Sequence, residues 1–268
     1  MSEIVKEENK VVLPTQKIAP TSVSPDMLII FSKPKVGKTT LFAELPNWLI
    51  LDLENGSRFV SALKMQASSV QELKAIGEEI KKAGRPYDGI VIDTGTALEE
   101  MCIPFAENLY SRTSMGKNWF KKDAQGNYTV DSGKAIYGSI VGLPNGGGYL
   151  YLREAFSKMI DYIKTLAPKI ILSCHVKDVL LEKAGAEFSS LDLDLTGKIK
   201  RTTSAQSDAI GYLYRKGTQN ILSFKTTDEV SCGARPDHLR NAEIVISEMI
   251  EGKVVTHWDQ VFIDKITK

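Results

Sequence analysis

A single nine-residue segment constrains the fold of this chain more than any other feature of its sequence. The segment reads SKPKVGKTT, and it follows MLIIF, a continuous apolar run typical of a buried parallel strand. It matches the pattern GxxxxGK[ST] at every fixed position except the first, where Ser32 replaces glycine. The sequence therefore predicts a strand, a tight loop and a brief helix that must end near Pro46.

This loop pattern implies a defined chemistry. Backbone N–H groups of such a loop curl around phosphate groups at the start of a helix, where the helix dipole also favours negative charge. Lys38 would reach the β- and γ-phosphates, and the Thr39 hydroxyl would hold Mg²⁺. With ATP and Mg²⁺ as the expected ligands, the predicted binding residues are Ser32, Lys33, Pro34, Lys35, Val36, Gly37, Lys38, Thr39 and Thr40.

Composition excludes several classes of protein. The chain has 268 residues, 43% hydrophobic and 25% charged, which suits one large globular domain or a domain with appendages. Its net charge of +1 gives no global attraction to nucleic acid, so a DNA site would need a local basic patch. The three cysteines are widely spaced and indicate reduced thiols. Without a signal peptide or a membrane-length apolar run, we expect a cytoplasmic protein with no membrane partner.

Strand-like and helix-like segments alternate after the loop. WLILDL, DGIVID and KIILSCH predict three more buried strands, and helices are expected over 70–83, from about Ala97 to Leu109, and near 152–166. The alternation predicts an α/β fold with a mostly parallel sheet flanked by helices. Residues 209–214 and 220–225 predict an antiparallel hairpin appended to this sheet.

The expected domain organisation is simple. Residues 1–25 are charged, contain three prolines and are predicted to form a flexible tail. Residues 26–268 would form one ATPase domain, in which 111–149 are an inserted loop region and 209–268 a β-rich extension.

Polar residues end three of the predicted strands, and such strand ends converge at one edge of a parallel sheet. Asp93 could order the Mg²⁺ shell or cap the next helix. Because Thr94 follows Asp93, a general base for the attacking water must come from elsewhere. Glu54 is the preferred candidate and Asp52 its rival, although Glu54 could also be a solvated turn acid. His175 could contact the γ-phosphate or be structural.

The order SKPKVGKTT, LILDLENGS, YDGIVIDTGTAL and LAPKIILSCHVKD resembles the RecA-like core. It is most similar to phage-encoded RecA-like ATPases described as nucleotide-binding or single-strand-annealing proteins, and the resemblance covers about 27–230. The resemblance implies that Glu54 is the catalytic glutamate, Asp93 the magnesium aspartate and His175 the γ-phosphate sensor, acting with Lys38.

The resemblance also implies a homo-oligomer and a slow ATPase that DNA or oligomerisation stimulates. A neighbouring subunit would supply a cation to the γ-phosphate, and Lys225 and Arg235 are the candidates. The alternative for both is ordinary surface charge.

Two groups of residues are candidates for binding single-stranded DNA, since basic groups neutralise phosphates and aromatic rings stack on bases. They are Arg112, Lys117, Trp119, Lys121 and Lys122 in the insertion, and Lys198, Lys200 and Arg201 in a second predicted loop. The insertion could instead be solvated, with Trp119 and Phe120 anchoring it to the core.

Three functions follow from these readings. The first is a factor for phage-type DNA recombination, annealing or repair, with a single-strand-binding or replication protein as a partner. The second is a partition or positioning ATPase, since Lys33 with VGKTT resembles a deviant phosphate loop. The third is a helicase-loader-like scaffold with weak hydrolysis.

Overall fold

The computed structural model describes residues 13–119, 121–122, 128–129, 140–183, 186–227 and 229–263. Within these ranges, side chains are described except at 118–122, 128–129, 180–183 and 186–188.

The elements are numbered in chain order. The strands are β1 (Met27–Ser32), β2 (Trp48–Asp52), β3 (Lys64–Gln66), β4 (Gly89–Asp93), β5 (Lys121–Lys122), β6 (Tyr128–Thr129), β7 (Lys169–Lys183), β8 (Ala186–Leu193), β9 (Ala209–Lys216), β10 (Gln219–Ser223), β11 (Gly233–Ala234), β12 (Glu243–Ile250) and β13 (Lys253–Thr256). The helices are α1 (Lys38–Ala43), α2 (Val70–Lys82), α3 (Gly95–Met101), α4 (Ile103–Ser111), α5 (Gly116–Trp119), α6 (Gly148–Lys164) and α7 (Gly197–Gln206).

The main sheet confirms the predicted α/β class. Its strands follow the order β13-β12-β10-β9-β1-β7-β4-β2-β3. The strands from β9 to β3 in this order pair in parallel, whereas β10, β12 and β13 join antiparallel. Every residue of β1, β2 and β4 is buried, because both faces of the sheet are covered.

Two apolar cores lie on the two faces of the sheet. Successive side chains of a strand point to opposite faces, so Ile29 and Phe31 join one core while Leu28 and Ile30 join the other. The first core contains the apolar stripe of α6, and the second contains Leu41 and Phe42 of α1. The phosphate-loop strand is therefore fixed from both sides.

Several element predictions needed correction. The helix expected from about Ala97 to Leu109 is two helices that meet at Cys102, because Pro104 has no N–H to continue the hydrogen bonds of the first helix. The hairpin of β9 and β10 exists, but its first strand is not an appendage, since β9 pairs in parallel with β1. The strand expected at 169–175 continues to Lys183 and pairs with β8, which the sequence did not predict.

The proposed tail is anchored where it enters the sheet. Residues 13–25 form neither helix nor strand, but the N–H groups of Asp26 and Met27 donate to the Asp208 carboxylate at 3.0 and 3.1 Å. In the described part of the chain, no helix combines the length and apolar character that crossing a bilayer requires.

The C-terminal segment holds the short helix that follows the phosphate loop. Helix α1 has only six residues, so its last carbonyl groups lack partners within the helix. The Trp258 indole N–H donates to the Leu41 carbonyl at 3.1 Å in the buried core, and the Trp258 ring lies 6.3 Å from that of Phe42. The 209–268 region therefore stabilises, through Trp258, the helix that follows the phosphate loop.

Replacing Trp258 by Phe should lower the free energy of unfolding by about 1–3 kcal/mol, because the buried Leu41 carbonyl loses its donor. Urea unfolding measures this change, with Phe59→Leu as a control because Phe59 is 92% exposed. If Trp258→Phe and the wild type unfold at the same urea concentration, the hydrogen bond does not stabilise the fold.

Candidate active site

The parallel register brings the predicted site residues to one edge of the sheet. Ser32 of β1 lies opposite His175 of β7, and Asp52 of β2 lies opposite Asp93 of β4. Strand β7 lies between β1 and β4. The carboxyl ends of β1, β2 and β4 therefore lie level with His175 of β7 near the start of α1, as expected for a ligand site in such a sheet.

The loop between β1 and α1 contains two residues with positive φ angles. Gly37 has φ +104°, a conformation in which any side chain would be strained, and Lys35 has φ +64°. Ser32 replaces the first glycine of the pattern and is completely buried. Its hydroxyl donates to the Lys33 carbonyl at 2.9 Å, so the extra side chain fits without opening the loop.

Lys38 is a buried cation whose partner is neutral. Its side-chain Nζ donates to the Ser32 hydroxyl at 3.0 Å, and within the described residues it makes no ion pair. Burial lowers the pKa of Lys38, although the negative charges of Asp93 and Glu54 oppose this effect. A buried ammonium group is costly unless an anion pairs with it, and a phosphate group would complete this site.

Thr39 and Asp93 form a pair that fits Mg²⁺. The Thr39 hydroxyl donates to Asp93 Oδ2 at 2.8 Å. Burial raises the pKa of Asp93, while the Thr39 hydrogen bond and the charge of Lys38 act in the opposite direction. Among the described residues, no group of three or more His, Cys, Asp or Glu side chains could hold a metal ion. Mg²⁺ commonly binds one or two protein oxygens together with substrate phosphates, and this pair suits that mode.

Glu54 faces the centre of the site. Thr94, which follows Asp93 through a cis peptide bond, donates its hydroxyl to Glu54 Oε1 at 2.5 Å. His175 Nε2 lies 3.0 Å from the same oxygen. The Glu54 carboxylate is thus held by Thr94, just after β4, and by His175, in the middle of β7, near the charges of Lys38 and Asp93.

The rival acid, Asp52, is used by the turn that follows β2. Its carboxylate accepts hydrogen bonds from the N–H groups of Glu54, Gly56 and Ser57 and from the Ser57 hydroxyl. Burial alone would raise the pKa of Asp52, but the hydrogen bonds outweigh it and hold this pKa below its ordinary value of 3.8. Asp52 therefore shapes the turn that presents Glu54, and the geometry favours Glu54 as the acid that meets a ligand.

Comparison with known proteins shows the family of this chain. Residues 24–235 match the sequence model of the AAA_24 family, described as an AAA domain. The chain belongs to this family. It is therefore a nucleotide-binding ATPase of the P-loop type in the general sense.

One solved structure is titled "Crystal structure of the RadB recombinase". It aligns with 10% identity and a TM-score of 0.43, covering 87% of this chain and 91% of that chain. No curated protein matches this chain significantly.

The candidates for binding DNA lie in two regions of the AAA domain, on α7 and in the 111–149 insertion. Lys198, Lys200 and Arg201 were expected in a loop but lie on α7, which has no strong apolar periodicity to reveal it. Lys200 pairs with Asp192 at 2.5 Å, whereas Lys198 and Arg201 are exposed. In the insertion, Arg112 and Lys117 are exposed.

Three further candidates, Trp119, Lys121 and Lys122, have side chains outside the described residues. Phe120, considered as an anchor, lies outside them altogether.

The two candidates for a cation acting on a neighbouring subunit lie far from this chain's own phosphate loop. Lys225 follows β10, which runs antiparallel to β9 and so ends at the opposite edge of the sheet. It pairs with Glu243. Arg235 lies 3.4 Å from Asp208, just before β9 begins. Neither cation reaches the loop of its own AAA domain, and their action on another subunit stays a prediction.

Sequence reasoning missed Arg215, near the end of β9. Its guanidinium donates to the Val36 carbonyl in the phosphate loop at 3.0 Å. In the sequence, Arg215 is an arginine in a predicted hairpin. It reaches the phosphate loop because β9 pairs with β1.

Asp52→Asn should lower the free energy of unfolding by about 1–3 kcal/mol at neutral pH, because an ionised acceptor of several hydrogen bonds becomes neutral. Since the folded-state pKa is lowered, this stabilisation is present above the ordinary value of 3.8 and is lost as pH falls through the lowered pKa.

Urea unfolding at several pH values measures both effects, with Glu54→Gln as the matched control on the more exposed acid. A larger loss of stability for Glu54→Gln than for Asp52→Asn would contradict the roles assigned to the two acids.

Proposed function

We propose that this AAA domain binds Mg·ATP at the edge formed by β1, β7, β4 and β2, and hydrolyses it slowly. We further propose that it uses this cycle in DNA recombination, single-strand annealing or repair through single-stranded DNA. The observation that carries the proposal is the convergence of buried Lys38, the Thr39–Asp93 pair and Glu54 around one loop.

Each residue has a separate role in this proposal. Lys38 and the amide groups of the loop hold the phosphates, and Thr39 with Asp93 would hold Mg²⁺. Bound Mg²⁺ would neutralise charge that develops on the phosphates. Glu54 accepts the proton of the attacking water. A cavity of about 390 Å³ opens beside Glu54 and is lined by Gln66, Ser68 and Glu72, so water can reach the carboxylate.

His175 offers a connection between the site and a basic surface. Its ring contacts Glu54, and its backbone carbonyl accepts a hydrogen bond from the Asp194 N–H at 3.0 Å. Asp194 is followed closely by α7, where Lys198 and Arg201 are exposed. A shift of His175 on loss of the γ-phosphate would therefore move Asp194 and, with it, the start of α7. This route supports the proposed coupling between ATP hydrolysis and DNA.

The proposed coupling predicts that single-stranded DNA raises the ATPase rate, and that the rate per subunit rises with protein concentration if neighbouring subunits share the site. Steady-state ATPase assays with and without DNA measure both effects. Lys38→Ala should abolish nucleotide binding, whereas Glu54→Gln should keep binding and lose turnover.

Turnover that does not respond to DNA would contradict the recombination role and favour a positioning ATPase or a loader-like scaffold. Unchanged ATP affinity in Lys38→Ala would contradict the nucleotide site itself.

The basic surface of α7 is testable through salt dependence. The double change Lys198→Ala and Arg201→Ala should weaken DNA binding and flatten the plot of log K against log salt concentration by about 0.7 for each lost phosphate contact. Fluorescence anisotropy with a labelled oligonucleotide measures the slope. A matched control is Lys81→Ala with Lys82→Ala on α2, which removes the same charge elsewhere. An unaltered slope in the α7 variant would show that these residues do not meet phosphate.

A further inference from the structure

Arg215 lies against the outer side of the phosphate loop. It is the penultimate residue of β9 and is exposed. Its Nη2 donates to the Val36 carbonyl at 3.0 Å, and a Cβ added to Gly37 would lie 3.5 Å from the same nitrogen. Within the described residues, no carboxylate pairs with this guanidinium. Its positive charge is therefore directed at the loop.

Two C-terminal strands hold Arg215 in this position. Asn220 lies directly opposite Arg215 in the β9–β10 pair, and its Oδ1 accepts from Arg215 Nε at 3.3 Å. The Asn220 side-chain amide donates in turn to the Ser247 hydroxyl of β12 at 3.0 Å. The β10–β12 register shifts next to Asn220. A chain of polar contacts thus runs from β12 through β10 and β9 to the loop.

The contact with Val36 fixes the orientation of one peptide group. A trans peptide is planar, and its C=O and N–H bonds point in opposite directions. Because the Val36 carbonyl is turned towards Arg215, the N–H of Gly37 must point away from it. Gly37 can adopt many backbone conformations, so this peptide could rotate if nothing held it. A charge-assisted hydrogen bond is stronger than a neutral one and removes that freedom.

We propose that Arg215 is a positioning residue of the phosphate loop, which holds the Val36 carbonyl outward so that the Gly37 N–H faces the phosphates of the bound nucleotide. The inference rests on the nucleotide site proposed above and adds a residue on the opposite side of β1 from Glu54 and Asp93. It also gives the C-terminal strands a role in ligand binding.

The position of the held amide predicts how affinity responds. Backbone N–H groups of such loops hold the α- and β-phosphates, which ATP and ADP share. Arg215→Gln should therefore raise the dissociation constants of Mg·ATP and Mg·ADP by the same factor, on the order of tenfold. The turnover number at saturating ATP should not change, because Arg215 does not touch the reacting water or Glu54.

Isothermal titration with Mg·ATP and Mg·ADP tests this, alongside steady-state kinetics and melting temperature without nucleotide. The matched control is Lys216→Gln, which removes the same charge from the next residue of β9. Asn220→Ala is a second variant that loosens the guanidinium from another strand, and it should give a smaller loss, again equal for both nucleotides. Melting temperatures without nucleotide should match wild type for Arg215→Gln, because the side chain is exposed.

Unchanged affinity for both nucleotides in Arg215→Gln would overturn the inference, and so would a loss confined to ATP or to turnover. The second outcome would mean that Arg215 acts on the γ-phosphate or on catalysis. Wild-type binding that Lys38→Ala abolishes, together with unchanged Arg215→Gln, would overturn this inference alone. A wild-type protein that binds neither nucleotide would overturn both this inference and the proposed function.

Discussion

The parallel pairing of β1 with β7 on one side and β9 on the other is the constraint on which the rest of the site depends. It sets Ser32 opposite His175 and opposite Leu213. A slip of one residue in a strand turns its side chains to the other face, and in β1 each side chain would then have to pack into a core shaped for its neighbours. The phosphate loop therefore begins at a fixed position relative to the neighbouring strands. Acids from β2 and β4 lie on one side of it and Arg215 of β9 on the other.

Two charged side chains near the loop are buried at a cost to the stability of the fold. Lys38 is buried beside a hydroxyl, and Asp93 is buried beside Thr39, so each ionised group carries a desolvation cost. Asp52, by contrast, is surrounded by donors that stabilise its charge. Two acids in one short segment thus differ: Asp52 builds the turn, whereas Glu54 contacts Thr94 and His175 and is the acid proposed to meet the ligand. A bound triphosphate with Mg²⁺ would give Lys38 and Asp93 partners of opposite charge, which the described residues do not provide at hydrogen-bond distance.

Local signals in the sequence were sufficient for the loop, for the buried strands and for the fold class. The break between α3 and α4 was missed, although Pro104 is a local signal for it. The parallel pairing of β9 with β1 was also missed, since it joins segments far apart in the chain and their hairpin pattern suggested a local unit. Arg215 and Trp258 escaped prediction for the same reason, because each acts on the loop or on α1 through a contact with a distant segment. Helix α7 escaped it because its sequence, GKIKRTTSAQ, has few apolar residues.

Hydrogen exchange of the backbone amides, with and without Mg·ATP, tests the location of the site most directly. Mg·ATP should slow exchange over 33–40, with a weaker effect at the turn 54–57, and should leave exchange on the exposed face of α2 unchanged. Lys38→Ala should remove this protection. Protection that appears elsewhere on the domain, or that survives in Lys38→Ala, would contradict a nucleotide site built around the loop between β1 and α1.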